Sequence, residues 1–101
     1  MTAWKKTLNL DPSLHSPTRI AILLFLIPIS TANFNEIQRA LDLSPGNLSK
    51  HLKKLEGSQF ITISKHFVNA KPLTVIGITS SGYSAILSYT DILVSVLRNL
   101  E

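Results

Sequence analysis

The sequence contains no cysteine and little charge, and both shortages narrow the classes of function that are possible for it. Without thiols it can form neither a disulfide framework nor a thiolate zinc site, so we expect a reducing, cytoplasmic setting. Charged residues make up only 16% of the 101 residues, but ten Lys and Arg stand against six Asp and Glu. The net charge of +4 favours a polyanionic partner.

Long apolar runs are also missing. The most apolar stretch, residues 20–27, is far shorter than the ~20 residues that span a bilayer, so it predicts a buried core helix and no membrane partner. The start of the chain is interrupted by Asp11 and Pro12 where a secretory signal would continue. With 45% hydrophobic residues, we expect one domain over residues 1–101.

Motifs for catalysis and metal binding are absent as well. His15, His51 and His66 lie in separate segments, without the spacing of metal sites. No nucleophile is paired with a base in a recognisable motif, and the glycines are isolated from one another. The sequence therefore predicts no metal, no cofactor, no catalytic residue and no enzyme.

The sequence does contain a series of helix signals. Ser16 and the proline after it combine an N-cap with a suitable first turn, which predicts a first helix over residues 17–27. Asn35 and Gln38 resemble a capping box for a short second helix that ends near Leu43. We expect this second helix to be amphipathic.

A third helix begins directly after the second. Ser44 and Pro45 repeat the start signal, and the helix should run to about Glu56 and Gly57. Only a few residues separate the two helices, and so tight a joint between helices that share a core forces a large angle between them. This arrangement is a helix-turn-helix.

The third helix has one apolar and one basic face. Leu48, Leu52 and Leu55 form an apolar stripe at helical spacing. A helical projection leaves the following residues on the opposite side: Gly46, Asn47, Lys50, Lys53 and Lys54. The major groove of DNA admits one helix, and amide and basic groups read its base edges. This face is therefore a candidate for DNA recognition.

Particular roles can be assigned on this helix. We expect Asn47 to pair with adenine and Lys50 with guanine, while the other lysines contact phosphates. Ser44 and Ser49, near the helix N-terminus, would bind phosphate oxygens with the help of free backbone N–H groups.

After the third helix the pattern changes to that of strands. Residues 60–64 and 72–78 are rich in β-branched and aromatic side chains and predict a hairpin, or wing. Residues 65–71 form a connection longer than a tight turn. Its candidates for contact with the DNA backbone or minor groove are Lys65, His66, Asn69 and Lys71. Phe67 is expected to pack on the domain rather than insert.

Alternative interpretations accompany these assignments. A lysine-rich helix face or hairpin tip is, taken alone, more often simply solvated. The order of the parts favours DNA, because a capped helix, a tight joint, a basic helix and a basic hairpin follow one another. Arg19, in the first turn of the first helix, would either bind a DNA phosphate or form an ion pair with Glu36.

The last helix carries a seam typical of helix pairing. Cap residues at 79–82 precede apolar positions at alternating spacings of three and four. The seam comprises Tyr83, Ile86, Leu87, Thr90, Leu93, Val94, Leu97 and Leu100. The leader, residues 1–15, contains four apolar side chains that would otherwise have no place to be buried: Trp4, Leu8, Leu10 and Leu14. We expect the leader and residues 80–101 to form a homodimer interface, unless both fold back on their own core.

Three segments carry a family resemblance: HSPTRIAILLFL, FNEIQRALDLSPGNLSKHLKKLE and KPLTVIGITSSGYSAI. Together spanning roughly residues 15–100, they are similar to winged-helix transcription regulators related to the MarR and ArsR families, particularly a short archaeal-type branch. The resemblance implies an α+β, mainly α fold, a winged helix-turn-helix with a three-helix core, a two-stranded wing and a C-terminal dimerisation helix. It also implies that residues 45–56 enter the major groove.

The sequence departs from the larger relatives in two ways. The paired cysteines of metal-sensing relatives are missing, so the resemblance implies no metal-responsive switch. Only one helix follows the wing and the leader before Ser16 is short, so we expect no small-molecule effector. The leading hypothesis is a transcription regulator that recognises a near-palindromic duplex through the third helix and wing. The alternative is a winged-helix protein–protein interaction module of a transcription or assembly complex, which would need an apolar exposed third helix.

Overall fold

The structure is a computed structural model that describes residues 10–99. In chain order, a 3₁₀ helix (Pro12–Leu14) precedes α1 (Pro17–Leu26), β1 (Thr31–Asn33), α2 (Phe34–Leu41), α3 (Pro45–Gly57), β2 (Ile61–Val68), β3 (Lys71–Ile78) and α4 (Ser80–Asn99). Helices dominate, and the predicted α+β winged helix-turn-helix is confirmed. Within this part of the chain, no helix is both long enough and apolar enough to cross a membrane.

The helix starts at Ser16 and Ser44 are confirmed, since both side chains cap the helices that follow. The predicted capping box of the second helix is wrong by two residues, because Asn33 rather than Asn35 caps α2. Asn33 Oδ1 accepts the N–H of Glu36 at 2.9 Å, and Glu36 Oε1 accepts the N–H of Asn33 at 3.2 Å. The helix thus begins immediately after β1, and the residues taken for its cap lie inside it.

The joint between α2 and α3 begins earlier than predicted. α2 ends at Leu41 rather than near Leu43, because Asp42 takes a left-handed conformation with φ 53°. The N–H of Leu43 then donates to the carbonyl oxygen of Gln38 at 3.1 Å, which closes the helix end. The short joint sets the angle of the helix-turn-helix.

The wing is part of a three-stranded antiparallel sheet in the order β1-β3-β2. The expected two-stranded wing gains β1, whose Thr31 pairs with Gly77 and whose Asn33 pairs with Val75. A strand of three residues is too short to produce a recognisable alternation, and for this reason the sequence did not indicate it.

The turn of the wing is tighter than expected. The predicted connection over residues 65–71 is wrong, because β2 and β3 remain paired out to Val68 and Lys71. Only Asn69 and Ala70 form the turn, with φ values of 52° and 63°. Two left-handed residues match the twist of a hairpin, so a two-residue turn is possible without glycine.

The core lies between the helices and the inner face of the sheet. Leu48, Leu52 and Leu55 are all buried in it, which confirms the predicted orientation of α3. Leu14 of the leader and Ile86 of α4 are buried in the same core. Both were expected at a dimer interface, and this expectation is wrong for them because they pack inside their own domain.

Candidate nucleic-acid interface

The outer face of α3 is polar and exposed. All seven recognition-helix candidates are exposed: Ser44, Gly46, Asn47, Ser49, Lys50, Lys53 and Lys54. The hydroxyl of Ser44 accepts the N–H of Asn47 at 3.2 Å, so it caps the helix while its own proton stays free to donate. A helix with this face outward and a leucine stripe inward can lie in a groove without disturbing the core.

A groove of about 260 Å³ separates α3 from the wing. Its lining consists of Phe34, Ser49, Leu52, Lys53, Ile63, Lys65 and Thr74. Lys53 of α3 and Lys65 of β2 both line it, together with the apolar side chains of Leu52 and Ile63. Two lysines that line one groove from different elements can together bind a phosphate.

The wing candidates do not share one face. Lys65, His66, Asn69 and Lys71 are all exposed, but successive strand residues point to opposite sides of the sheet. Lys65 lines the groove beside α3, whereas His66 lies on the other side, where its Nε2 is 3.0 Å from the hydroxyl of Ser64. Lys65 therefore faces a ligand bound to α3, whereas His66 points away from it.

Phe67 does not pack on the domain. Its side chain is 77% exposed, and the expectation that it is buried is wrong. The reason is the length of β2 and β3, whose last pairs extend past the inner part of the sheet where Ile61 and Ile76 are buried. An aromatic ring therefore stands at the end of the wing.

Arg19 is half-buried and joins three parts of the fold. Its Nε donates to the carbonyl oxygen of Ser13 at 2.6 Å, and its NH1 lies 3.1 Å from Nδ1 of His51. It does not form the predicted ion pair with Glu36, whose carboxylate receives the N–H of Asn33 instead. Sequence reasoning missed this cluster because its members are far apart in the chain.

The same cluster extends to the end of α3. The hydroxyls of Ser13 and Ser58 are hydrogen-bonded, and Ser58 also donates to Asp11 Oδ1 at 3.4 Å. The backbone N–H of Ser13 and these hydroxyls lower the pKa of Asp11. Burial, together with the positive charges of Arg19 and Lys50, lowers the pKa of His51. The leader turn is thereby attached to the middle of α3 through Arg19 and His51 and to its C-terminal end through Ser58.

The exposed stripe of α4 differs from the predicted seam. Five exposed residues follow one another at spacings of four and three: Tyr83, Leu87, Thr90, Val94 and Leu97. Ile86 is buried, and Leu93 lines a groove of about 480 Å³ between the leader, α1 and α4. Trp4, Leu8 and Leu100 lie outside the described residues.

This architecture, a helix-turn-helix with a hairpin directly after its second helix, matches a known family. The model of the winged helix DNA-binding domain matches residues 18–97, and the chain belongs to this family. Transcription regulators with this DNA-binding domain are normally not enzymes. Within residues 10–99, no group of three His, Asp or Glu side chains is placed to hold a metal ion.

Individual relatives agree with this assignment. An uncharacterised protein of Methanocaldococcus jannaschii is 33% identical over 87 residues, which cover 86% of this chain and 95% of that protein. The structure of a transcriptional regulator homologue from Pyrococcus horikoshii is 33% identical, with a TM-score of 0.88 over 100% of this chain and 99% of the other. In fold, the chain also resembles Staphylococcus aureus MepR in a complex with DNA, at 22% identity and a TM-score of 0.68 over 82% and 71% of the two chains. The protein is a winged-helix DNA-binding transcription regulator.

Proposed function

We propose that the protein binds a near-palindromic duplex DNA site as a homodimer, with α3 in the major groove and the wing on the flanking backbone. The observation that carries this proposal is the groove between α3 and the wing, which Lys53 of α3 and Lys65 of β2 both line. A phosphate bound there would fix the register of α3, and the base edges would then come within reach of its exposed face.

The residues of α3 divide into two groups in this proposal. Asn47 and Lys50 read bases, since an amide pairs with adenine and an ammonium with guanine. Lys53, Lys54 and the hydroxyl groups of Ser44 and Ser49 contact phosphates, which position the protein without specifying the sequence. Gly46 leaves room beside them, because nothing lies within 4 Å of the position its Cβ would take.

The wing and α1 contribute backbone contacts. Lys65 acts with Lys53, while Asn69 and Lys71 reach the flanking strand from the tip of the hairpin. His66 lies on the far side of the sheet and makes no direct contact with the bound duplex. Arg19 is a positioning residue rather than a free phosphate ligand, because its guanidinium is already engaged with the leader and α3.

The second copy of the chain is proposed to cover α4. Exposed side chains of Tyr83, Leu87, Val94 and Leu97 form an apolar stripe with heptad-like spacing. The neighbouring groove between the leader, α1 and α4 has a largely apolar lining that includes Leu93 and would be covered in the same contact. A two-fold axis through this stripe explains why the DNA site should be a near-palindrome.

The alternative of a protein-interaction module called for an apolar exposed face on α3, and that face is polar. The proposal includes neither a small-molecule effector nor catalysis. The relatives named above from Methanocaldococcus and Pyrococcus are archaeal, and archaeal DNA lies in the cytoplasm, which supports a cytoplasmic site of action.

The test is a selection of bound fragments from random duplex DNA, followed by titration of the selected duplex at several salt concentrations. Affinity should fall with salt by about 0.9 log units per log unit for each phosphate contact. Lys53→Ala and Lys65→Ala should weaken binding to all sequences and reduce the salt slope by about 1 each. Arg98→Ala is the matched control, because it removes one exposed positive charge at the far end of α4 and should leave both quantities unchanged.

A second pair of variants tests the reading of bases. Asn47→Ala and Lys50→Ala should relax the preference at one or two base pairs by about 1–3 kcal/mol each. Binding that ignores salt and all of these substitutions would contradict the proposed function.

A further inference from the structure

The end of the wing carries an apolar group that nothing in the domain covers. Phe67 is the most exposed large hydrophobic side chain of the described residues at 77%, and its neighbour Val68 is 51% exposed. Single exposed apolar side chains are common on protein surfaces, but a phenyl ring at the tip of a long hairpin has no packing role there. Its position therefore calls for a partner.

Phe67 points to the side of the molecule that is proposed to face DNA. Alternation along β2 puts Ile63, Lys65 and Phe67 on one side of the sheet. Ile63 and Lys65 line the groove against α3, so Phe67 points to the same side. Four residues of strand carry it about 13 Å beyond Ile63. The ring thus lies farther out along the wing than Lys65. With α3 in the major groove of a duplex, the adjacent minor groove would face the ring there.

A second apolar residue supports the ring. Phe67 is paired with Pro72 in the register of β2 and β3, and paired residues lie on the same face. The pair adjoins the turn of Asn69 and Ala70, and the strands remain paired on the inner side from Lys65 and Thr74 onward. The apolar tip is therefore held by a continuous ladder rather than by a loose loop.

The charge around the tip identifies the partner. No acidic residue occurs between Glu56 and Asp91, whereas Lys65 lies on the same side of the sheet as Phe67 and Lys71 lies beside the turn on the other side. An exposed apolar ring on a positively charged wing fits a polyanion whose interior is apolar and accessible. Duplex DNA has this chemistry, because its phosphates surround stacked bases that apolar side chains can enter from the minor groove.

We propose that Phe67, supported by Pro72, inserts into the minor groove beside the recognition site as an apolar wedge between two base pairs and bends the duplex. Wedges of this kind kink DNA by about 20–90° toward the major groove. The inserted step should be a pyrimidine–purine step, which unstacks most easily. Phe67 then determines specificity at a position that α3 does not touch, and the inference rests on the proposed function.

The test uses the wild-type protein and the selected duplex, with 2-aminopurine at successive flanking positions and a fluorophore pair at the two ends. Wild type should raise 2-aminopurine fluorescence at one flanking step and shorten the end-to-end distance. Phe67→Ala should abolish both signals and lower affinity by about tenfold, the loss expected from one aromatic contact with a base. Phe67→Leu should retain part of each signal, because leucine also forms wedges.

Val68→Ala is the matched control, since Val68 lies next to Phe67 but points to the opposite side of the sheet. It should leave fluorescence and bending unchanged. If Phe67→Ala binds, bends and unstacks the duplex as wild type does, the wedge is excluded while the proposed function stands. If wild type binds no duplex at all, the proposed function fails and the wedge with it.

An anionic lipid surface would also accept an apolar and basic tip, and vesicles of phosphatidylserine and phosphatidylcholine distinguish it. Binding to these vesicles that Phe67→Ala abolishes, together with unchanged DNA bending by that variant, would overturn the proposal in favour of a membrane contact. Phe67 is exposed, so its substitutions should not disturb folding, and an unchanged melting temperature provides the check.

Discussion

The guanidinium of Arg19 lies 3.1 Å from Nδ1 of His51 and so connects α1 with the helix proposed to read DNA. The same guanidinium holds the leader turn through the carbonyl oxygen of Ser13 at 2.6 Å. One side chain thereby sets the position of α3 relative to two other elements. Since His51 and Lys50 are adjacent on α3, a shift at His51 would also move a proposed base contact.

Arg19→Lys should destabilise the domain by about 1–3 kcal/mol, although it keeps the charge. A lysine ammonium cannot reproduce the planar fork that contacts the Ser13 carbonyl and the imidazole together, and it leaves a partly buried acceptor without a partner. Urea denaturation measures the change. Arg39→Lys is the control, because Arg39 is exposed on α2 and should tolerate the substitution. Equal stability of the two variants would contradict the positioning role of Arg19.

His51 should make the stability of the domain depend on pH. Burial and the charges of Arg19 and Lys50 lower its pKa from the ordinary 6.5, so the folded state disfavours the protonated ring. The unfolded chain then binds more protons below pH 6.5, and stability should be fully present above that pH and decrease as the pH falls through the folded pKa.

Thermal melts between pH 8 and pH 5 measure this dependence. His51→Asn is the control, because an asparagine oxygen can accept from Arg19 near the position of Nδ1 but does not titrate. Its stability should be flatter than that of wild type in this range. Asp11 does not interfere, since its pKa is lowered from 3.8 and its effect begins only in more acidic solution. An identical pH profile for the two proteins would contradict the prediction.

Local signals predicted most of the helix-turn-helix. The cap at Ser44 and the stripe of Leu48, Leu52 and Leu55 depend on neighbouring residues and helical spacing, and the structure agrees with both. The nearby cap of α2 was misplaced because Asn33 and Asn35 offer the same side chain two residues apart. The strand β1 decides between them, and its pairing with β3 is a long-range contact.

The parts that the sequence did not predict depend on such long-range contacts. Arg19 meets His51 across 32 positions, and no spacing rule indicates this pair. The exposure of Phe67 follows from how far the two strands of the wing remain paired, which composition alone does not reveal. The exposed face of α3 could therefore be predicted from one helix, whereas the contributions of the wing and the leader to the candidate site could not.

Gly82→Ala should destabilise the domain, whereas Gly57→Ala should not. A Cβ on Gly82 would collide with the carbonyl oxygen of Phe60, because the first turn of α4 lies directly on that backbone. The overpacking should cost about 1–3 kcal/mol. Nothing lies within 4 Å of the Cβ position at Gly57, where alanine should be neutral or stabilise α3 by up to about 1 kcal/mol. If Gly82→Ala does not lower the urea midpoint more than Gly57→Ala does, the contrast is contradicted.

Ala70→Gly should stabilise the wing. Ala70 has φ 63°, a left-handed conformation that costs an L-residue about 1–2 kcal/mol and costs glycine almost nothing. Part of the gain is lost to the greater freedom of glycine in the unfolded chain, so we expect a net stabilisation of about 0.5–1 kcal/mol. Asn69→Gly should have a smaller effect, since asparagine tolerates this conformation. A lower urea midpoint for Ala70→Gly would contradict the left-handed turn.

The last prediction concerns the homodimer proposed for α4. Leu87 and Leu97 are 46% and 63% exposed on the apolar stripe, and a monomer would leave both in water. Sedimentation should give a dimer at micromolar concentration, and Leu87→Glu with Leu97→Glu should give a monomer, because the isologous contact would bury the new carboxylates of both protomers without partners. Val68→Glu is the control, as it adds the same charge to an exposed apolar position on the wing, and it should remain dimeric. The dimer would set two recognition helices about 34–36 Å apart, so the monomeric variant should also lose its preference for a palindrome over a single half-site. A wild-type monomer, or a double variant with unchanged mass and unchanged palindrome preference, would contradict dimerisation through this stripe.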